Sequence, residues 1–411
     1  MASSTPFEWL SGGLFFGNNN SNNSNSNSNS KSKPFDATKD NVDSISDPLA
    51  LLQGLDKDLA RLFPSDPAGN DDDADNNSNN NSASQAVQAR LSRLRYLLYD
   101  ERRTHQQANT TATCRVAHDT MQGLIVPDSE SATTSTALIV TLLNKLPQLA
   151  FESKKDVAAI FNYLLVCGLD GTDAELYSPT MHAFGRFVQC HFSQVLDPIM
   201  AGHDSAIPDV VLHCGSMYRA CVKTPILYQE LVATSDRVQQ YVLVFLDKYC
   251  HSPNFDVASD AMESLRVVFT ANDAADFLQR DYKALFEDLF QSQLLSHSNY
   301  IIRRMALQIL STVLLKRSNY SVMMQYVVSK QNLITSMLLL RDTSPHITLD
   351  AFHVFKIFVA NPQKPPDIIK ILCDNKVKLI KYLDGLHKDK EATDAQFRDE
   401  KALVIQTLED L

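Results

Sequence analysis

An all-α fold, a right-handed solenoid of stacked helical repeats, is predicted by three features of the sequence: a nearly unbroken helical periodicity, a scarcity of glycine, and an internal repeat of 45 residues. From about Ser129 to Leu411, amphipathic segments of roughly 10 to 18 residues alternate with short polar breaks. All 12 glycines lie outside the stretch from Ser216 to Asp384. That stretch therefore cannot hold a phosphate-binding glycine loop or a nucleophile elbow, and tight β-turns there lack their usual residue.

The repeat is read by aligning DAMESLRVVF from Asp260, MALQILSTVL from Met305 and DAFHVFKIFV from Asp350. Its small residue recurs as Ala261, Ala306 and Ala351. The bulky columns are Met262, Leu307 and Phe352; then Leu265, Leu310 and Phe355; then Val268, Val313 and Phe358. This period falls in the range of HEAT and armadillo units, which bury their apolar faces by stacking on neighbours. Chance similarity among amphipathic helices is the competing explanation, and the ungapped columns favour true repeats.

The Asn/Ser-rich tract at 18–34 cannot bury enough apolar surface to order itself, so residues 1–45 are expected to be a disordered arm. Residues 46–411 are expected to form one helical-repeat domain. Its first helix is announced by Asp47 as N-cap and Pro48 at the first helical position, then Leu52, Leu55, Leu59 and Leu62. A second helix carries Val87, Leu91, Leu94, Leu97 and Leu98. Between them, about 65–84, an Asn/Asp-rich insertion is expected to be a disordered loop.

Charge narrows the partners. The chain carries 38 basic and 48 acidic residues, net −10. Residues 1–85 hold 5 of the basic and 12 of the acidic ones, leaving 33 against 36 in the remainder. No basic stripe suited to nucleic acid emerges. The absence of an 18-residue apolar run or a basic leader predicts a soluble, cytoplasmic protein that does not insert into membranes. Seven cysteines without a CxxC pair predict reduced thiols on helix faces.

Searches for chemistry return little. Asp73, Asp75 and Asn77 start like a calcium loop, but Ser78 and Ser84 stand where glycine and a bidentate glutamate are required. Cys190 with His191, and Cys250 with His251, are adjacent on helices and point about 100° apart, so each pair is expected to be a core thiol beside a surface imidazole. His353 reads as a satisfied interface histidine. No catalytic set, metal set or cofactor is expected, and the protein is expected not to be an enzyme. Arg303 and Arg304 beside Tyr300 read either as solvated arginines or as an interface anchor. Met323, Met324, Met337, Tyr320 and Tyr326 read either as core or as an adaptable pocket.

The segments AFHVFKIFVANPQK from Ala351, FESKKDVAAIFN from Phe151, FDVASDA from Phe255 and QFRDEK from Gln396 resemble the calcium-binding protein 39 family, also called Mo-25-like. The resemblance extends over about residues 46–411. It implies a scaffold without catalytic activity, monomeric without its partner, that binds and activates a protein kinase of the sterile-twenty class or a kinase with a pseudokinase. It implies concave-face contacts at Phe255, Tyr300 and Arg304. A C-terminal pocket for a Trp-Glu-Phe motif is implied at Arg317, Tyr320 and Met337. Gln308, Ile334 and Asp374 depart from the family by standing where lysines are expected; Lys376 or Lys378 are candidates to replace the last. The alternative function is a helical-repeat adaptor in polarity or morphogenesis that does not activate a kinase.

Overall fold

The computed structural model describes residues 42–64, 74–108, 115–126, 137–166 and 174–411. Residues 1–41 of the expected arm and 65–73 of the insertion lie outside them; the arm's expected bound at 45 is corrected, since Val42 is buried and the Ile45 carbonyl accepts from Arg93 at 2.9 Å. Among the described residues the fold is all-α and without strands. It divides into two compact units, one within 24–264 and one over 265–411.

The first unit opens with α1 (Pro48–Leu62). Asp47 accepts a bond from the Leu49 amide at 3.1 Å and Pro48 occupies the first turn, as the sequence predicts. Leu51, Leu52, Leu55 and Leu59 are buried, and α1 packs against α2 (Ala74–Ala108) through Val87, Leu91, Leu94 and Leu98. The expected loop at 65–84 is corrected here, since α2 is helical from Ala74. Once the leucine face nucleates a helix, each residue added at its N-terminus gains a backbone bond at little further cost.

There follow α3 (Arg115–Ile125), α4 (Leu138–Lys145), α5 (Phe151–Val166), α6 (Ala174–Cys190), α7 (Phe192–Gly202), α8 (Pro208–Lys223) and α9 (Pro225–Leu231). Helix α5 packs on both α2 and α8. The next helical stretch runs through α10 (Ser235–Val238), a π-helical segment Gln239–Leu243 and α11 (Val244–Asp247). The unit boundary falls inside α12 (Phe255–Thr270).

The second unit continues with α13 (Ala275–Arg280), a π-helical segment Lys283–Leu294, α14 (Tyr300–Leu315), α15 (Tyr320–Val327), α16 (Lys330–Leu339), α17 (Pro345–Ala360), α18 (Pro366–Gly385), α19 (Lys388–Thr393) and α20 (Ala395–Glu409). Helix α14 packs on α17, which in turn packs on α16 and α20. All twelve residues of the repeat columns, from Ala261 to Phe358, are buried. The 45-residue spacing therefore marks equivalent core positions. Met323 and Tyr326 are also core.

Candidate protein-binding surface

Helix α14 begins where the Asn299 side chain accepts from the Ile301 amide at 2.9 Å. Its buried face carries Ile302, Ala306, Ile309, Leu310 and Val313. Tyr300 and Arg304, four residues apart, share another face; Tyr300 is exposed and Arg304 half-buried.

Arg303 and Arg304 lie about 100° apart around the helix and meet different surroundings. Arg303 donates to Asp342 at 3.1 Å and to the His297 carbonyl at 3.0 Å, which makes it a structural tie. Arg304 stands 3.8 Å from Asp350, beyond hydrogen-bond distance. Neither Arg304 Nε nor Asp350 Oδ2 has a hydrogen-bond partner. Burial raises the Asp350 pKa, opposed by Arg304 and by a hydrogen bond from Gln308. Gln308, one of the departures from the family pattern, thus serves that carboxyl as a neutral neighbour.

Phe255 belongs to the first unit. It begins α12, whose end is capped by Asn254 accepting from the Asp256 amide at 2.9 Å, and it is 59% exposed.

The three expected pocket residues sit on neighbouring elements. Arg317 and Tyr320 are exposed at the turn leading into α15, while Met337 is half-buried on α16, which packs against α15. Leu338, 62% exposed beside Met337, is an apolar surface residue that the sequence reading missed. Asp374 is exposed on α18, which packs on α16. Lys376 donates to the Glu409 carbonyl at 2.7 Å and is committed to the C-terminal helix. Lys378 borders a different cleft of about 660 Å³, with Lys381, Tyr382 and His387.

A Mo25-like family model matches residues 42–411. The chain belongs to that family. Among curated relatives, the human calcium-binding protein 39-like protein is 36% identical over 279 residues, 67% of this chain and 77% of its own. A Mo25-like protein of Schizosaccharomyces pombe is 34% identical, covering 66% and 76%, and MO25-like protein 2 of Caenorhabditis elegans is 38% identical, covering 66% and 74%. Among solved structures, a designed armadillo repeat protein aligns at TM-score 0.39 and 12% identity, covering 75% of this chain and 99% of that one.

Two side-chain expectations for this Mo25-like chain need correction. Cys190 is exposed alongside His191 instead of entering the core: it is the last residue of α6, and in that turn Val188 takes the buried position. Cys250 is buried beside an exposed His251, as expected. His353 is not satisfied: its Nδ1 is buried without a partner. Burial, with Lys356 nearby, pushes its imidazole down to about 4. Among the described residues, no group of three His, Cys, Asp or Glu side chains could hold a metal, and no helix is long and apolar enough to cross a membrane. The run at Asp73, Asp75 and Asn77 lies outside the described side chains.

Proposed function

We propose that this Mo25-like helical-repeat chain is a non-catalytic scaffold that activates a protein kinase of the sterile-twenty class, alone or together with a pseudokinase. The reading rests on family membership and on one observation: Arg304 shares a helix face with Tyr300 and meets Asp350 only as a loose ion pair at 3.8 Å, without a hydrogen bond. Its guanidinium can therefore be completed by a partner. An arginine that is held loosely by its own carboxylate beside an exposed tyrosine is the composition of an interface hot spot. Activation follows if the scaffold binds the active arrangement of the kinase better than the inactive one, since only differential affinity shifts such an equilibrium.

The test is the phosphorylation rate of a purified sterile-twenty-class kinase with the wild-type chain, with Arg304→Ala and with Arg303→Ala. Arg304→Ala is expected to reduce activation by about tenfold or more with helicity unchanged, the scale of a hot-spot truncation. Arg303→Ala is expected to lower the thermal midpoint instead. Activation that survives Arg304→Ala, or that is absent with the wild-type chain, overturns the proposal.

A further inference from the structure

The cleft of about 660 Å³ in the second unit lies between the start of α17, the last turns of α18 and the turn that follows α18. Its lining carries two lysines, Lys378 and Lys381, and one carboxylate, Asp342. That carboxylate is fully committed: Oδ2 accepts from Arg303 at 3.1 Å and Oδ1 from the Ser344 amide at 2.9 Å. Asp384, next to the lining, is paired with Lys388 at 3.6 Å. Lys378 and Lys381 are exposed, and among the described residues neither makes an ion pair. Three residues apart on α18, they bring two uncompensated positive charges to one cleft.

Part of the cleft wall is fixed in place by its own contacts. His387, in the turn after α18, has φ 47°, the left-handed region that residues other than glycine rarely adopt. The Thr348 hydroxyl donates to the Pro345 carbonyl at 3.0 Å, so it accepts at 2.9 Å from His387 Nε2, which carries the ring's proton. Lys401 holds the carbonyls on either side, those of Asp384 at 3.0 Å and Leu386 at 2.9 Å. A wall already ordered spares a ligand that part of the cost of binding.

We propose that this cleft holds an acidic segment of a protein partner, with two neighbouring carboxylates meeting Lys378 and Lys381. An anion complements a cleft whose own carboxylate is neutralised and whose two ammonium groups are not. Carboxylates fit better than a phosphate gripped through two oxygens at once, because the guanidinium at the site, Arg303, is already committed to Asp342 and the His297 carbonyl. Pro345, Tyr382 and Leu386 in the lining offer apolar surface to the stems of the acidic side chains. The inference takes from the proposed function only that the partner is a protein, and it does not involve Arg304.

The experiment titrates fluorescein-labelled hexaglutamate and hexaglutamine with the full chain and reads anisotropy at two salt concentrations. Hexaglutamate is expected to bind, more weakly at the higher salt, and hexaglutamine is not. Lys378→Glu combined with Lys381→Glu should weaken hexaglutamate binding by about tenfold or more, the scale of two exposed attractions turned into repulsions. Lys330→Glu combined with Lys370→Glu makes the same change in net charge at exposed lysines outside the cleft and should leave binding unaltered. No binding of hexaglutamate, equal binding of hexaglutamine, or equal weakening by the two double variants overturns the assignment. A phosphothreonine hexapeptide that binds more tightly than hexaglutamate, and loses its binding in the Lys378 and Lys381 variant, overturns the choice of carboxylates. Kinase activation reads separately. Its absence with hexaglutamate binding intact overturns only the proposed function, and the reverse result overturns only the cleft.

Discussion

The regions around His203 and around Glu400 bury polar groups by opposite means. Near His203 the surroundings are rings: Tyr218, Phe245 and Tyr249 surround a neutral imidazole, and the Tyr218 hydroxyl donates to the Tyr241 carbonyl at 2.9 Å. Near Glu400 they are charges. Lys356 and Glu400 meet at 2.7 Å with side chains 3% and 8% exposed, joining α17 to α20. Burial lowers the Lys356 pKa, while Glu400 opposes the shift. Ring packing takes its stability from area and shape, whereas a buried ion pair gains little net stability over an apolar pair and is valuable for fixing partner and register.

The largest expected effects test that difference directly. Glu400→Ala leaves Lys356 as an uncompensated buried charge, and Phe245→Ala opens a cavity in the ring cluster; each should cost about 3–5 kcal/mol in denaturant unfolding. The two then diverge. Adding Lys356→Met to Glu400→Leu should restore most of the loss, because the cost lies in the unpaired charge. If that double replacement stays as unstable as Glu400→Ala, the pair contributes through packing and the contrast collapses.

The second test uses pH. His353 lies beside the Lys356 and Glu400 pair, and its folded pKa of about 4 is below the ordinary 6.5. A histidine depressed in the folded state is protonated more readily when unfolded. Its contribution is thus complete above about 6.5 and is lost as pH falls toward 4, by up to about 3 kcal/mol on the scale of 1.36 kcal/mol per pKa unit. Thermal midpoints across that window should decline in the wild type and flatten in His353→Leu. An unchanged slope in the variant assigns the decline to other groups.

The smallest effect concerns exposed charge in the same unit. Lys376 donates to the Glu409 carbonyl and Lys378 borders another cleft, so neither is placed as the replacement for the lysine expected at Asp374. Asp374→Lys should tighten a fluorescent peptide ending in Trp-Glu-Phe by about 1 kcal/mol, an amount set by solvent exposure. Met337→Ala should weaken it. Tight wild-type binding indifferent to Met337→Ala removes that pocket assignment.

What the sequence made legible divides along the same physical line. The helices and the core columns at Ala261, Ala306 and Ala351 were readable because burial repeats with the helical period. Asp47 and Pro48 were readable because capping is local. The different surroundings of Arg303 and Arg304 were not, since Asp342 and Asp350 lie about 40 residues away and no local pattern says which arginine meets which. The helical start at Ala74 was hidden for a related reason: asparagine and serine disfavour helix on their own, and the preference comes from the leucine face beyond them. Leu338 reads as core because sequence reveals which residues are apolar, not which of them a neighbour covers.

Lys401 gives the chain's end an unexpected character. Its ammonium, 2% exposed, donates to the Asp384 carbonyl at 3.0 Å, the Leu386 carbonyl at 2.9 Å and Glu391 at 2.7 Å. All three of its protons are used, and the acceptors come from the end of α18, the turn after it and α19. A C-terminal helix ordinarily frays by small independent openings. An opening that reaches Lys401 must strip one cation of three acceptors at once, so the first half of α20, α19 and the end of α18 are expected to open as one unit, a cooperativity that hydrogen exchange of their amides would read.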